Sequence, residues 1–514
     1  MKTKQLILIM SVAAIVIGSS AAKAAVKPVD VRIPEPVLEK SPRLVELYWK
    51  AWEIALTKTR KPRPGSGFVS DYMDEGFSDN IFQWDTCFMV MFGRYAQDVV
   101  PGVKSFDNFY AKQHADGFID REIRETDGTD YWGPTHNNSI NPPLYSWVEW
   151  ENYMINGDAG RLKQVFPYLK KHYTWIQKNR RLPSGLYWTT NLASGMDNSP
   201  RTYPDGDDSG VSYGYSWVDL TAQQALNAMY LARIAKVAGL DADAAAFQKD
   251  YDELNRLVNE KFWDKRLDMY FDLNARGMLT RVKTVASFWP MLANIAPADR
   301  TKLLVERHLM NKKEFWRPHP FPTASRDNIL YDRGGGYWKG SVWAPTEYMI
   351  IRGLLNYGYD DFAAEAVELH LKNMSDVLRV TGTIWENYAP EYASRGNASA
   401  GNFVGWSGVG PIAMLIENII GLRADAPADR LTWRIRRTDR HGMKNFHFGD
   451  NKSVTLIAEP RAANTDPATI TIKSDSPFEL VVDMPQGQFT KKVIAGNNTF
   501  TVPERDQDSM QINR

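Results

Sequence analysis

Residues 217–260 read WVDLTAQQALNAMYLARIAKVAGLDADAAAFQKDYDELNRLVNE. Two helical runs, 217–238 and 241–260, are separated only by Gly239-Leu240-Asp241, and a link this short makes the two helices antiparallel neighbours. The arrangement recurs on both sides. Helical periodicity marks 81–97, 103–114, 141–156, 158–178, 284–294, 297–310, 340–356, 359–377 and 407–421. A further helix opens at Ser41-Pro42, an N-cap followed by proline at N1, and continues through Leu44, Leu47, Tyr48, Ala51, Trp52 and Ala55. Asn156-Gly157-Asp158, Ala296-Pro297 and Tyr357-Gly358-Tyr359-Asp360 join neighbours as hairpins. About twelve helices in hairpin pairs predict an all-α fold, an (α/α)6 toroid whose inner helices ring a cavity and whose loops at one end build a site. No clean fixed-period repeat is visible, so helix count and pairing carry this expectation.

Four loops are long and rich in aromatic and acidic residues: Gly117 to Ile140, Leu182 to Ser216, Phe315 to Gly336, and Thr381 to Val404. Loops of that kind line sites. After Arg423 the texture changes. Segments beginning at Leu431, Val454, Thr469, Phe478 and Asn498 alternate with period two between Gly, Pro, Asn and Asp clusters, which predicts a small C-terminal β domain. The division expected is a signal peptide over 1–24, a helical catalytic domain over 25–425, and a β-sandwich-like domain over 426–514, the last either a structural appendage or a carbohydrate binder.

The signal peptide is read from Lys2 and Lys4, the apolar run Leu6 to Ile17, and Ala22-Lys23-Ala24, which predict cleavage after Ala24 and a periplasmic or secreted protein. No later stretch suggests a membrane span or lipid anchor. Cys87 is the only cysteine, so packing rather than disulfides holds the fold. Lys+Arg 62 against Asp+Glu 61, with no polybasic block, argues against a nucleic-acid partner. The 17 Trp, 23 Tyr and 22 Phe, several beside Asp, Asn, Gly or Arg, suit a carbohydrate partner, because the C–H face of a pyranose packs on aromatic rings.

Glycoside hydrolysis needs a carboxylic acid to protonate the leaving oxygen and a second carboxyl across the anomeric carbon, which in an inverting enzyme activates water. Asp197 lies in Ser194-Gly-Met-Asp-Asn-Ser-Pro-Arg201, where Gly195 and Pro200 fix an irregular backbone and partial desolvation would raise its pKa. The same residues also read as a plain turn. Glu386 lies in Gly382-Thr-Ile-Trp-Glu-Asn-Tyr388, followed by an amide and a phenol, Tyr388, able to position a water or a hydroxyl; the alternative is a surface turn. Trp84, Trp338, Trp343 and Trp406 are candidates for a sugar platform or for the core. Asp85 and Arg201 are candidates to grip hydroxyls or a carboxylate. Asp205, Asp207 and Asp208 read as a Ca2+ loop or a solvated turn, without EF-hand spacing; no metal or cofactor is assigned.

Taken together, six segments resemble the motifs of the trehalase-like clan of inverting glycosidases, families 37 and 63, which includes processing α-glucosidase I enzymes and bacterial mannosylglycerate-type hydrolases. The similarity runs from about Gln83 to about Leu422. It comprises Phe82-Gln-Trp-Asp85, Ile140-Asn-Pro-Pro143, Ser194 to Arg201, Gly335-Gly-Tyr-Trp-Lys-Gly-Ser-Val-Trp343, Glu386-Asn-Tyr388 and Phe403-Val-Gly-Trp-Ser407. Each segment alone is weak and the ordered set is specific. The resemblance implies Asp197 as general acid and Glu386 as general base, with Asn141 and Lys339 joining the substrate-binding residues. Asn141 replaces the family's Gln, Lys339 its Arg and Ser341 its Pro, which sets the leaving-group side apart from a standard trehalase. The family's large N-terminal β domain has no counterpart.

The expected activity is therefore inverting, exo-acting hydrolysis of an α-glucoside-like di- or oligosaccharide or glycoside. Alternatives are another α-linked sugar (mannosyl- or glucosylglycerate type, or a plant-glycan side chain), a lyase using His114, His136 or His319, and a non-catalytic glycan binder.

Overall fold

A computed structural model describes residues 29–75, 77–204, 214–450 and 452–503. The expected signal peptide and the Asp205, Asp207 and Asp208 cluster lie outside the described residues. Eleven α-helices are present among the described residues: α1 (Pro42–Leu56), α2 (Gln83–Gly93), α3 (Ser105–Ala111), α4 (Tyr145–Asn156), α5 (Ala159–Arg180), α6 (Val218–Ala238), α7 (Asp241–Lys261), α8 (Trp289–Leu292), α9 (Ala298–Leu303), α10 (Ala344–Asn356) and α11 (Asp360–Thr381). A π-helical segment, Gly410–Ile420, follows. Each predicted helical run overlaps one of these elements, with α5, α7 and α11 extending past the predicted ends. Hairpins form at Gly157, Gly239 and Gly358, while at Ala296-Pro297 the short α8 packs on α10 and α6 instead; Gly157 and Gly239 take left-handed conformations (φ 74° and 77°) that stop α4 and α6, and the Asp158 side chain accepts from Arg161 N to start α5. Ser41 departs from expectation: its hydroxyl accepts from Arg437 and makes no cap bond, leaving Pro42 to set the start of α1.

Two kinds of helix alternate. α2, α4, α6, α8, α10 and Gly410–Ile420 are buried along most of their length, whereas α1, α5, α7 and α11 bury a stripe and expose the rest. The buried set makes contact in chain order, and the turn Trp406–Val409 returns to α2. At the end of α2 remote from Asp85, Arg94 pairs with Glu417 (2.7 Å) and Glu151 (3.0 Å), and Arg352 pairs with Glu151 (2.6 Å). These buried charges bind four of the buried segments at one end, leaving the other end to the loops.

The C-terminal part is sheet. A five-stranded antiparallel sheet runs Glu35–Leu38, His441–Phe448, Lys452–Ala458, Ala468–Ser474, Gly496–Val502. A four-stranded sheet runs Gly487–Val493, Phe478–Met484, Arg430–Arg434, Leu422–Asp425, with its central pair parallel. All five predicted strand segments lie within these strands. Two further strands fall on the helical side of the 425/426 division: Leu422–Asp425, and Glu35–Leu38, whose Val37 pairs with Gly442. Trp433 Nε1 donates to Ile420 O (3.0 Å) and Gly449 N to Ile155 O (2.7 Å), fastening sheet to helices.

Candidate active site

The first turn of α2 carries Trp84 and Asp85. The strand before it, Asn80–Phe82, pairs with Glu122–Arg124 in the Gly117 to Ile140 loop, so Asp85 and the Arg121-Glu122 dipeptide open on one hollow of about 210 Å³. Asp197 enters from the Leu182 to Ser216 loop, and Tyr337 and Trp338 from the turn before α10. Of the residues singled out in the sequence, Trp84, Asp85, Asn141, Asp197, Trp338 and Trp406 line this hollow.

Glu386 stands directly behind the lining. Its Oε1 accepts from Tyr337 Oη (3.3 Å), its Oε2 from Ala400 N (3.0 Å), and its carbonyl from Trp406 Nε1 and Ser407 Oγ. Burial pushes the Glu386 carboxyl up to about 7, and the negative charge of Asp197 adds to the rise. Burial likewise pushes Asp197 up to about 6, against the pull of the Arg121 guanidinium. Tyr337 feels the charge of Glu386, Asp197 and Asp85 together, which puts these three acids around one phenol. Both hydrogen bonds at Glu386 come from donors that favour its anion, yet burial still leaves its carboxyl above that of Asp197, so the form with the proton on Asp197 is the minor one of the singly protonated pair.

The Asp197 loop is braced to the turn opposite it. Asn198 Oδ1 accepts from Trp338 N (2.8 Å), while its Nδ2 donates to Gly336 O (3.2 Å). Tyr337 has φ 63°, a left-handed backbone uncommon for a residue of its kind and stored next to Glu386. Gly195, at φ 77°, places its α-carbon against the Trp84 ring, where a Cβ would stand 3.3 Å away. Asn141 Oδ1 accepts from Trp84 N at 3.4 Å.

Other expectations need correction. Arg201 does not reach the hollow. It is fully buried, forked between Asp272 (2.6 and 2.8 Å) and Asp219, and stacked 4.2 Å from the Trp217 ring centre. Two carboxylates use its donors, and it anchors the loop that carries Asp197. Trp343 is core: it lies flat on Trp338 at 4.0 Å and supports that residue from behind. The buried Tyr388 hydroxyl accepts from Trp385 N (3.0 Å), shaping the Glu386 turn. Lys339 is half-buried and is not among the lining residues. The histidines are elsewhere: His114 pairs with Asp130, His136 packs at a tilt on Trp132, and His319 is buried against His370 (2.8 Å).

The sequence reading missed Phe77, Arg121, Glu122 and Tyr337 in the lining. It also missed Glu75, a buried carboxyl 3.3 Å from Lys58 that burial pushes up to about 8. Tyr337 lay inside a quoted motif, and Arg121-Glu122 inside a loop already marked as site-forming. Phe77 and Glu75 carried no comparable signal.

A half-buried and a buried carboxyl beside an aromatic-walled hollow are the residue types that glycoside hydrolysis uses. Residues 78–407 match the family described as mannosylglycerate hydrolase MGH1-like glycoside hydrolase domain, and the chain belongs to that family of glycoside hydrolases. The chain is 23% identical over 430 residues to the periplasmic trehalase of Salmonella newport (71% of this chain, 68% of that protein). It is 24% identical over 278 residues to the "Probable mannosyl-oligosaccharide glucosidase" of Schizosaccharomyces pombe (48% of this chain, 33% of that protein). The solved GH63 mannosylglycerate hydrolase from Thermus thermophilus in complex with glucose has a similar fold, with TM-score 0.59 and 19% identity over 71% of this chain and 99% of that one. Among the described residues no helix is long and apolar enough to cross a membrane.

Proposed function

We propose that this enzyme is an inverting, exo-acting α-glycosidase of the glucosidase kind with Asp197 as general acid and Glu386 as general base. The observation that carries the assignment is the pair itself: two carboxyls raised by burial to about 6 and 7, on separate loops, Asp197 lining the hollow and Glu386 directly behind Tyr337 of that lining. In a single displacement, Glu386 takes a proton from water as the water oxygen attacks the anomeric carbon. The glycosidic C–O bond breaks, and Asp197 gives its proton to the departing oxygen. An α-glycoside then yields a β-configured sugar. Hydrogen bonds from Tyr337 and Ala400 favour the Glu386 anion, and the reactive form is the singly protonated pair with its proton on Asp197. The hollow is smaller than the roughly 300–1,000 Å³ of pockets for drug-sized ligands, which suits one terminal ring, with Trp84, Trp338 and Trp406 against its faces and Asp85, whose Oδ1 has no partner, on its hydroxyls.

Alternation of buried and half-exposed helices, with contacts closing from Trp406–Val409 back to α2, supports the (α/α)6 toroid. We assign 25–425 as the catalytic domain, with the sheets of 426–514 borrowing strands 35–38 and 422–425. The N-terminal leader pattern and the periplasmic trehalase relative support export.

The purified protein, given α-linked disaccharides and aryl α-glycosides, is expected to release monosaccharide. Asp197→Asn and Glu386→Gln are each expected to lower turnover by about 10²–10⁴-fold. Release undiminished by either substitution contradicts the assignment.

A further inference from the structure

The general acid of an inverting glycosidase stands on the leaving-group side, so the neighbours of Asp197 determine what that side accepts. Arg121 is the nearest cation to act on it. The guanidinium pulls the Asp197 carboxyl down against burial, and Nη1 donates to the carbonyl of Leu192 in the Asp197 loop. Among the described residues lining the hollow, Arg121 is also the one cation, set against Asp85, Glu122 and Asp197.

A carboxylate already stands against that charge. Nε lies 3.1 Å from Glu122 Oε1, with both side chains less than a tenth exposed, and Nη1 is held by the backbone. Strand pairing of Asn80–Phe82 with Glu122–Arg124 fixes the Glu122 backbone, so the two cannot drift apart without opening the start of α2. A substrate carboxylate entering beside Asp197 would meet a neutralised arginine and at least one further acid. Desolvating it there without a partner is costly. A hydroxyl meets acceptors and a guanidinium edge, and suffers no such cost.

We propose that the Arg121–Glu122 pair makes the leaving-group side of this site select uncharged glycosides, such as those of polyols and neutral sugars, over glycosides of a carboxylic acid such as glycerate. Glu122 is then the specificity-determining residue, because it occupies the one cation that could receive an acid. This inference rests on the proposed assignment of Asp197, and it separates the chain's substrate class from the substrate named for its structural relative from Thermus thermophilus.

The test compares kcat/KM for an α-glycosyl glycerol and the matching α-glycosyl glycerate, with the α-glycosyl fluoride as a substrate that asks nothing of the leaving-group side. The wild type is expected to favour the glycerol glycoside by about 100-fold or more, the scale of a like-charge juxtaposition in a desolvated site. In Glu122→Gln the preference is expected to fall by about tenfold as Arg121 is released, the scale of one charge-assisted contact. Equal rates on the two glycosides, including none on either, or a preference for the glycerate, would overturn the inference. So would an unchanged preference in Glu122→Gln at wild-type fluoride turnover. Failure to turn over any α-fluoride would instead sink the hydrolase assignment beneath it.

Discussion

At the scale of single residues, carboxyls of ordinary pKa would both be ionised at pH 7, and neither could donate a proton. Burial alters this at Asp197 and Glu386, raised to about 6 and about 7. The base must be ionised and the acid protonated, so activity falls at low pH as Glu386 takes a proton and at high pH as Asp197 loses one. A bell-shaped kcat/KM profile is expected, with apparent limbs near 6 and 7 belonging to the pair; a flat profile from about pH 5 to about 9 contradicts it. Tyr337→Phe removes a donor that holds Glu386 down, so the limb near 7 should move to higher pH while the limb near 6 stays. Arg201 tests the correction made by the structure. Arg201→Ala leaves Asp219 and Asp272 buried without their cation, and a loss of about 3–5 kcal/mol is expected in a denaturant melt. A raised KM at unchanged stability would return Arg201 to the substrate.

At the scale of elements, the helices were legible because local chemistry announces them: Gly157 and Gly239 mark stops, and periodic apolar residues mark the stripes between. Two of the four long loops, Gly117 to Ile140 and Leu182 to Ser216, supply lining residues, and Thr381 to Val404 brings Glu386 behind them, whereas Phe315 to Gly336 supplies none among the described residues. What escaped depends on contacts distant in sequence. Glu35–Leu38 is too short to signal a strand, and its partner, His441–Phe448, lies at the other end of the chain. Arg201 looked poised for a ligand because Asp219 and Asp272 meet it only in the folded chain. Tyr337 acquires its role from Glu386 on another loop. One loop-level prediction follows from Gly195, whose φ of 77° and contact with Trp84 leave no relaxed place for a side chain. Gly195→Ala should shift the Asp197 loop and lower kcat by about tenfold to a hundredfold with the far-ultraviolet dichroism unchanged; wild-type kinetics would show that the loop is not under this constraint.

At the scale of the whole molecule, the site is an electrostatic burden on the fold. Asp74, Glu75, Asp197 and Glu386 are raised to about 7, 8, 6 and 7, above the roughly 4 of an unfolded chain. Through these four carboxyls the folded state binds more protons than the unfolded state between about pH 4 and 8, a contribution to stability that falls as pH rises and that outnumbers the opposite one of the buried His172, His319, His370 and His441 only above their unfolded pKa of about 6.5. Melting temperature should decline from about pH 6.5 to about pH 8, and Glu75→Gln should raise it at the upper end while flattening the slope. A melting temperature that climbs over this range in the wild type would contradict the burial argument. The ring of Arg94, Glu151, Arg352 and Glu417 at the far end of the helices binds four segments together, and it leaves the loop end to carry this burden.

Every role assigned to the site assumes that Asp197 and Glu386 act from opposite faces of one anomeric carbon. Proton NMR recorded in the first minutes of turnover of an α-glycoside reads this directly. The β-anomer of the released sugar is expected to appear first, with the α-anomer growing in only by mutarotation. The α-anomer appearing first would contradict it.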